Sequence, residues 1–429
     1  MESTQPSASG VTPGALQEEI LHQIDHPQQL ERLYRKNRTS FQRAFQAIYP
    51  DIMGRSIARF WHERLNYRED DISWGPKSEW ITVAALILAA GFIVKIPDIT
   101  GLDYEFFYPR NVGFVVFPAL AAYFFLKRRP ASGQLWFPLL AIALSAVYIN
   151  ALPDDRGSDS ILLACLHLPV FLWMVLGYVY LGSGYRSSAG RINFLRYNGD
   201  LVVMSAVMAL AGMLFTAVTI GLFELIDLKI QEFYAKYVAA WGLPAIPILA
   251  TLLVRNNPQL VSRISPVIAR IFTPIVFVML LIFLAAVLYT GVDPYNDRDF
   301  LLLFNVLLIG VMALILFSVS EATRQATGRI GLLFLTGLSL LAIADNATAL
   351  SAIAFRLVEF GITPNRIAVL GANLLIFVHL ILVAHALFQV LRGKQEAEAI
   401  GNRIARFLPV YGIWAALVTF LFPLLFNFS

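Results

Sequence analysis

Apolar runs of 16 to 25 residues, separated by short polar segments, follow one another from Glu79 almost to the end of this 429-residue chain. A helix needs about 20 apolar residues to cross the hydrocarbon core of a bilayer. The runs therefore predict an all-α, polytopic transmembrane helix bundle. About eleven spans are expected, near 79–97, 111–126, 134–151, 160–181, 201–226, 237–254, 270–291, 300–319, 330–350, 367–391 and 407–427. Composition agrees: 58% of the residues are hydrophobic and 14% are charged, whereas soluble domains carry about 25% charge.

Loop charge orients the bundle. "LKRRP" (126–130), "YRSSAGRINFLR" (185–196), "RNNPQLVSRISPVIAR" (255–270), "EATRQATGR" (321–329) and "RGKQEAEAIGNRIAR" (392–406) are rich in base. Between them lie "PDITGLDYE" (97–105), "PDDRGSD" (153–159), "DLKIQEF" (227–233) and "DPYNDRD" (293–299), which are rich in acid. The classes alternate through the first nine spans, and one miscounted helix would break the alternation. Lysine and arginine gather in cytoplasmic loops, so the N-terminus is expected inside and the C-terminus outside a cell (inner or plasma) membrane. The net charge of +4 comes from those loops and gives no concentrated basic face for nucleic acid. The first 30 residues hold no charged-then-apolar signal sequence, so the first span is expected to direct insertion.

Residues 1–77 form a polar preface to the transmembrane domain at 78–429. Met1 to Gly14 is rich in Ser, Pro, Gly and Thr and is expected to be disordered. Helices are expected at Ala15–Ile24, at Pro27–Lys36 with Asp25 as cap, and at Ser40–Tyr49, capped by Thr39 or Ser40 and stopped by Pro50. Gly54 to Tyr67 continues the helical spacing, with Ile57, Phe60, Trp61 and Leu65 set against three arginines. Such a face suits an anionic lipid surface or a cytosolic protein partner. The favoured alternative is a small helical domain that packs on itself or on the transmembrane core, with the arginines solvated.

The informative residues are the polar ones inside spans, because a charge at the bilayer centre costs at least about 2.5 kcal/mol. Asp345, Asn346, Arg356 and Glu359 interrupt the ninth span, and Arg366, Asn373, His379 and His385 mark the tenth. On a continuous helix Asp345, Ala352, Arg356 and Glu359 form one stripe, with Arg356 and Glu359 at i, i+3. Antiparallel neighbours bring Asp345 and His379 to similar depths, a carboxylate and an imidazole suited to a proton or cation relay. Asp345, Asn346, Asn373 and His379 are therefore candidates for a substrate or ion pathway. Arg356, Glu359 and Arg366 are candidates for a structural ion pair between the two helices. A helix from Arg329 to Phe360 is about 48 Å long, so it tilts, breaks near Asn346, or lays its end along the outer interface.

Other positions are expected to be structural. Lys95 should snorkel, His167 should be a satisfied core histidine, and Glu224 and Asp227 should be interfacial. Ser205, Ala209 and Gly212 should permit close helix packing. The single cysteine, Cys165, rules out a disulfide framework and a cysteine metal cluster. No nucleotide loop, H-E-x-x-H or G-x-S-x-G occurs, so no cofactor, metal or catalytic residue is expected. One stretch, "GLDYEFFYPRN" (101–111), resembles the acidic first-loop motif of polytopic lipid-linked-sugar glycosyltransferases. That likeness implies Asp103 or Glu105 as a metal-binding carboxylate and base.

The stretches 255–289 and 356–388 carry a basic loop, a span with Pro274 that ends at Tyr289, and a turn with Gly361, Ile362, Thr363 and Arg366. In these features the C-terminal half resembles a family of bacterial polytopic membrane proteins catalogued as domain of unknown function 4153. The resemblance implies a bacterial membrane location and transfers no catalytic residue. Three functions follow in order: a transporter or channel-like permease for a small solute or ion, a membrane scaffold or signalling component, and a membrane glycosyltransferase. Reporter fusions within 185–196 and 293–299 should signal from opposite sides of the membrane; signals from the same side would refute the topology.

Overall fold

A computed structural model describes residues 13–66, 74–128, 132–224, 228–258, 264–290, 298–322 and 328–428. The chain divides into two compact units, Met1–Ser73 and Trp74–Ser429. Most of Met1 to Gly14, and most of the 293–299 and 321–329 loops, lie outside the described residues.

Among the described residues the first unit has four helices: α1 (Pro13–His22), α2 (Pro27–Lys36), α3 (Arg38–Ile52) and α4 (Ser56–Asn66). Their apolar faces meet in one core of Ile20, Leu30, Phe41, Phe45, Ile48 and Trp61. Trp61 is 2% exposed and sits 5.2 Å from the Phe41 ring and 5.6 Å from Tyr34. It anchors this core, whereas Phe60 on the same helix is exposed. Two other expectations change. The side chain of Asn37, not Thr39 or Ser40, caps α3, accepting from the Ser40 amide at 3.0 Å, and Asp25 gives way to His26 at the start of α2. Helix α3 also continues through Pro50 to Ile52. The proline falls in the last turn, where it interrupts little of the ladder, and Ile52 gains burial beside Ile48. On the surface, Arg35 donates to Glu31 at 2.8 Å and holds that carboxyl below the usual glutamate range.

The second unit is helical throughout its described residues. It contains α5 (Lys77–Thr100), α6 (Tyr104–Arg128), α7 (Trp136–Ala151), α8 (Asp159–Leu181), α9 (Ser188–Glu224) and α10 (Gln231–Asn256). After these come α11 (Ile264–Thr290), α12 (Arg298–Ala322), α13 (Arg329–Phe360), α14 (Pro364–Leu391), α15 (Glu398–Phe420) and the short α16 (Phe422–Leu425). Among the described residues ten helices are long and apolar enough to cross a membrane, and α7, with 16 residues, is a shorter apolar helix. The chain is thus a multi-pass membrane protein by length and composition, with α7 standing where the sequence predicts the third full span, 134–151.

Two elements refine the expected spans. Helix α13 is continuous over 32 residues and does not break at Asn346. Helix α9 starts at Ser188 rather than near 201, because Ile192, Phe194, Leu195 and Tyr197 in the polar segment are buried against neighbouring helices. Its later half does not pack as its small residues suggest. Nothing lies within 4 Å of a Cβ built on Gly212, and Leu210 and Leu214 are exposed. Glu224 is exposed at the end of α9, and Asp227 lies outside the described residues.

One core joins α13, α14 and α15 through Leu338, Ala342, Ile376, Leu380, Ile404 and Leu408. Another joins α5, α6, α8, α9 and α10 through Val83, Phe124, Leu176, Tyr197 and Ile248. Glycine sets one of the approaches: a Cβ on Gly371 of α14 would stand 2.1 Å from the Trp414 ring of α15. Gly371→Val should therefore push the two helices apart and destabilise the bundle by about 1–3 kcal/mol, visible as a lower melting temperature in detergent.

Candidate functional site

Helix α13 packs against α11, α12 and α14. Its buried face reads Leu335, Leu338, Ser339, Ala342, Asp345, Asn346, Ala349 and Ala352. Small side chains let neighbours approach closely, so whatever polar group sits among them is shut away from solvent. Asp345 and Asn346 are that group, both 0% exposed. Among the described residues, neither carboxylate oxygen of Asp345 and neither amide atom of Asn346 has a hydrogen-bond partner. Asp345 lies 16 residues from Arg329 and 15 from Phe360, about 24 Å and 22 Å from the two ends of its helix. An uncompensated charge so placed costs several kcal/mol, and no hydrogen bond among the described residues offsets it.

Helix α14 begins at Pro364 with Thr363 as cap, the Thr363 hydroxyl accepting from the Arg366 amide at 3.3 Å. His379 falls 15 residues past Pro364, again about 22 Å from the α13–α14 turn, so it shares the depth of Asp345 as expected. The two are not bonded. His379 Nδ1 lies 3.0 Å from the Tyr411 hydroxyl on α15, and its ring stacks on Phe407 at 4.5 Å. Its Nε2 is buried without a partner. Asn373 donates to Asn305 Oδ1 of α12 at 2.6 Å and to the Val369 carbonyl at 2.9 Å, leaving its own Oδ1 unpartnered. The spacing argument does not single out Asn305, although a lone asparagine in "LLLFNVLL" is a signal for it.

The expected ion pairs do not form. Among the described residues no salt bridge joins Arg356, Glu359 and Arg366. Arg366 instead donates to the carbonyls of Phe360 and Gly361, both at 2.6 Å. A helix ends with carbonyls that lack intrahelical donors, and a guanidinium one turn into the next helix reaches them better than it reaches exposed Glu359. Arg356 Nη1 is unpartnered.

Polar residues outside the expected stripe tie other helices together. Glu79 of α5 accepts from Tyr123 of α6 at 2.6 Å, from Lys127, and from Asn256 of α10 at 3.2 Å. Arg110 of α6 is buried and donates to the carbonyls of Ile149 at 3.2 Å and Pro153 at 2.7 Å. Asn111 and Asn150 exchange amide bonds at 2.8 and 2.9 Å. These groups are satisfied, and they are clamps. Lys95 does not simply snorkel: it pairs with Asp98 at 2.7 Å and donates to the Lys236 carbonyl. His167 bonds the Leu163 carbonyl at 2.9 Å, as expected of a core histidine.

The glycosyltransferase expectation loses its carboxylates. Arg156 pairs with both Asp103 and Glu105, so a cation would have to displace a guanidinium. No cluster of three or more acid, histidine or cysteine side chains able to hold a metal occurs among the described residues.

A cavity of about 440 Å³ lies between α11, α12 and α13, lined among others by Arg270, Thr273, Ser318, Glu321, Gly328 and Leu335. Thr273 and Ser318 share a hydrogen bond at 2.9 Å, and Glu321 is 3% exposed. The lining on α13 ends at Leu335, ten residues and about 15 Å short of Asp345. No family model, no curated protein and no solved structure matches the chain.

The contrast between Arg366 and Glu359 is testable. Arg366→Gln should cost about 1–3 kcal/mol through the stranded carbonyls. Glu359→Gln, at an exposed and unpaired position, should change stability by no more than about 0.5 kcal/mol. Equal losses in detergent melting would restore the ion pair.

Proposed function

We propose that this chain moves a small solute or ion across a bacterial cell membrane, and that Asp345 is the residue the moving species meets. One observation carries this reading: a carboxylate and an amide sit fully buried at mid-helix with no polar side-chain atom partnered among the described residues. Buried clamps in this same bundle, such as Glu79 and Arg110, are bonded. A group kept unbonded at that energetic cost is a functional candidate by default. Asn346 on the same helix, and Asn373 and His379 on α14, each present an unpartnered atom on the buried side and extend the candidate pathway. The basic loops at 185–196, 255–270 and 392–406 support a cytosolic side for the N-terminal unit and for the α11–α13 cavity. The resemblance to the domain of unknown function 4153 family agrees with a bacterial inner-membrane location.

A scaffold role competes, because the first unit has its own core and leaves Met53 60% and Phe60 59% exposed for a cytosolic protein or anionic lipid. The two readings part at Asp345→Asn, which keeps the size and hydrogen-bonding capacity of the side chain and removes its charge. In liposomes carrying the purified protein, concentration jumps of inorganic cations and small organic solutes should evoke transport currents. Asp345→Asn should reduce them at least tenfold while leaving the melting temperature within a few degrees of the parent. A silent parent whose melting temperature shifts strongly on Asp345→Asn would favour the scaffold.

A further inference from the structure

The α11–α13 cavity and the Asp345 pair lie along one helix, and the side chains between them are not arbitrary. Leu335 lines the cavity. Ser339, Ala342 and Asn346 follow it at spacings of four, three and four, which keeps all four on one face of α13. All four are buried. Ala342 and Ser339 are small, and among the described residues the Ser339 hydroxyl donates to the Leu335 carbonyl at 2.8 Å and accepts from none. From the cavity to Asn346 the face therefore runs as one large apolar residue and then a hydroxyl, a methyl and an amide.

We propose that the species Asp345 takes up is a proton, and that it arrives from the cavity along the Leu335–Ser339–Ala342–Asn346 face. This rests on the reading of Asp345 as the translocating residue. A desolvated metal cation needs several oxygen ligands around it. The residues sharing the buried face with Asp345 are chiefly hydrocarbon: Leu338, Ala342, Ala349 and Ala352. A proton needs only the carboxylate. A hydronium in the cavity releases a proton that passes along this face to one Asp345 oxygen, leaving water in the cavity and a neutral acid on α13, and the reverse step returns it. The hydroxyl pair of Thr273 and Ser318 and the buried Glu321 carboxyl line the cavity itself, a polar wall for water. Among the described side chains, the charged and titratable groups on the three helices packed against α13 lie elsewhere or face away. Arg270 and Glu321 are at the cavity, Tyr289 is exposed at the other end of α11, and Arg366 caps the α13 terminus. His379 turns to Tyr411, and His385 lies beside Gln389. On α13 itself the nearest charge is Arg356, eleven residues along the helix and about 16 Å away.

Infrared spectroscopy of the purified full-length protein tests the uptake directly. The acid-minus-base difference spectrum should contain a protonated-carboxyl stretch that shifts on transfer to D2O and is missing from Asp345→Asn. The route is tested with Ser339→Cys, and with Leu335→Cys as a second position, each in a Cys165→Ala background that removes the only native thiol. Either thiol should react with a charged, membrane-impermeant methanethiosulfonate, and modification should slow the D2O shift at least tenfold. Thiols that stay unmodified at both positions, or a modified protein that exchanges at the parental rate, would overturn the route. A spectrum of Asp345→Asn that superimposes on the parent's would overturn proton uptake. Loss of transport current in that same variant would still stand for the translocating role, so the two ideas fail separately.

Discussion

An unbonded polar group inside hydrocarbon costs free energy that no water is there to return, and this constraint shapes almost every feature of the second unit. It forces the backbone into long helices. It also explains why most of the buried polar side chains are placed where another helix can meet them. Glu79 gathers a phenol, an ammonium and an amide from α6 and α10. Arg110 directs its donors to carbonyls of α6, of α7 and of the residues just after it. Arg366 covers the bare carbonyls where α13 ends. Each of these turns a buried polar group into a tie between elements.

Asp345 and Asn346 break the rule, and that is why they matter more than their neighbours. Helix α13 could meet them with a donor from α11, α12 or α14; it presents them among alanines and leucines instead. Natural structures retain such unsatisfied groups where something other than stability is served. A cavity bounded by a buried carboxyl and a hydroxyl pair lies along the same helix. Ser339 and Ala342, both buried, occupy the helix face between the cavity and the pair.

Much of the candidate site is legible in the order of residues alone. A charge or amide among apolar residues is rare enough to stand out by itself, so Asp345, Asn373 and His379 are recognisable by position. Helix periodicity puts Asp345 and His379 at one depth, and the lengths of α13 and α14 keep them there. What spacing does not carry is direction. His379 turns toward Phe407 and Tyr411 of α15, and Asn373 toward Asn305 of α12. Periodicity along one helix says which residues share a face, not which neighbour that face meets. The same gap explains the failed ion pair: Arg356 and Glu359 have the right separation, yet Glu359 is exposed and Arg366 finds carbonyls closer.

The sequence by itself determined the class of the molecule. Run length and charge composition require a multi-helix membrane domain, because helices satisfy their own backbone within each such segment in lipid, and apolar spacing located the four helices of the first unit. Tertiary structure decided the rest. Burial of Ile52 carried α3 past Pro50, and a shared core drew Trp61 inward. Contacts made by Ile192 and Phe194 extended α9 into its polar segment. Arg156 claimed Asp103 and Glu105 from a distant part of the chain. Local pattern sets what a segment can be; only the partners brought by folding fix which polar groups are bonded and which, like Asp345, are left bare.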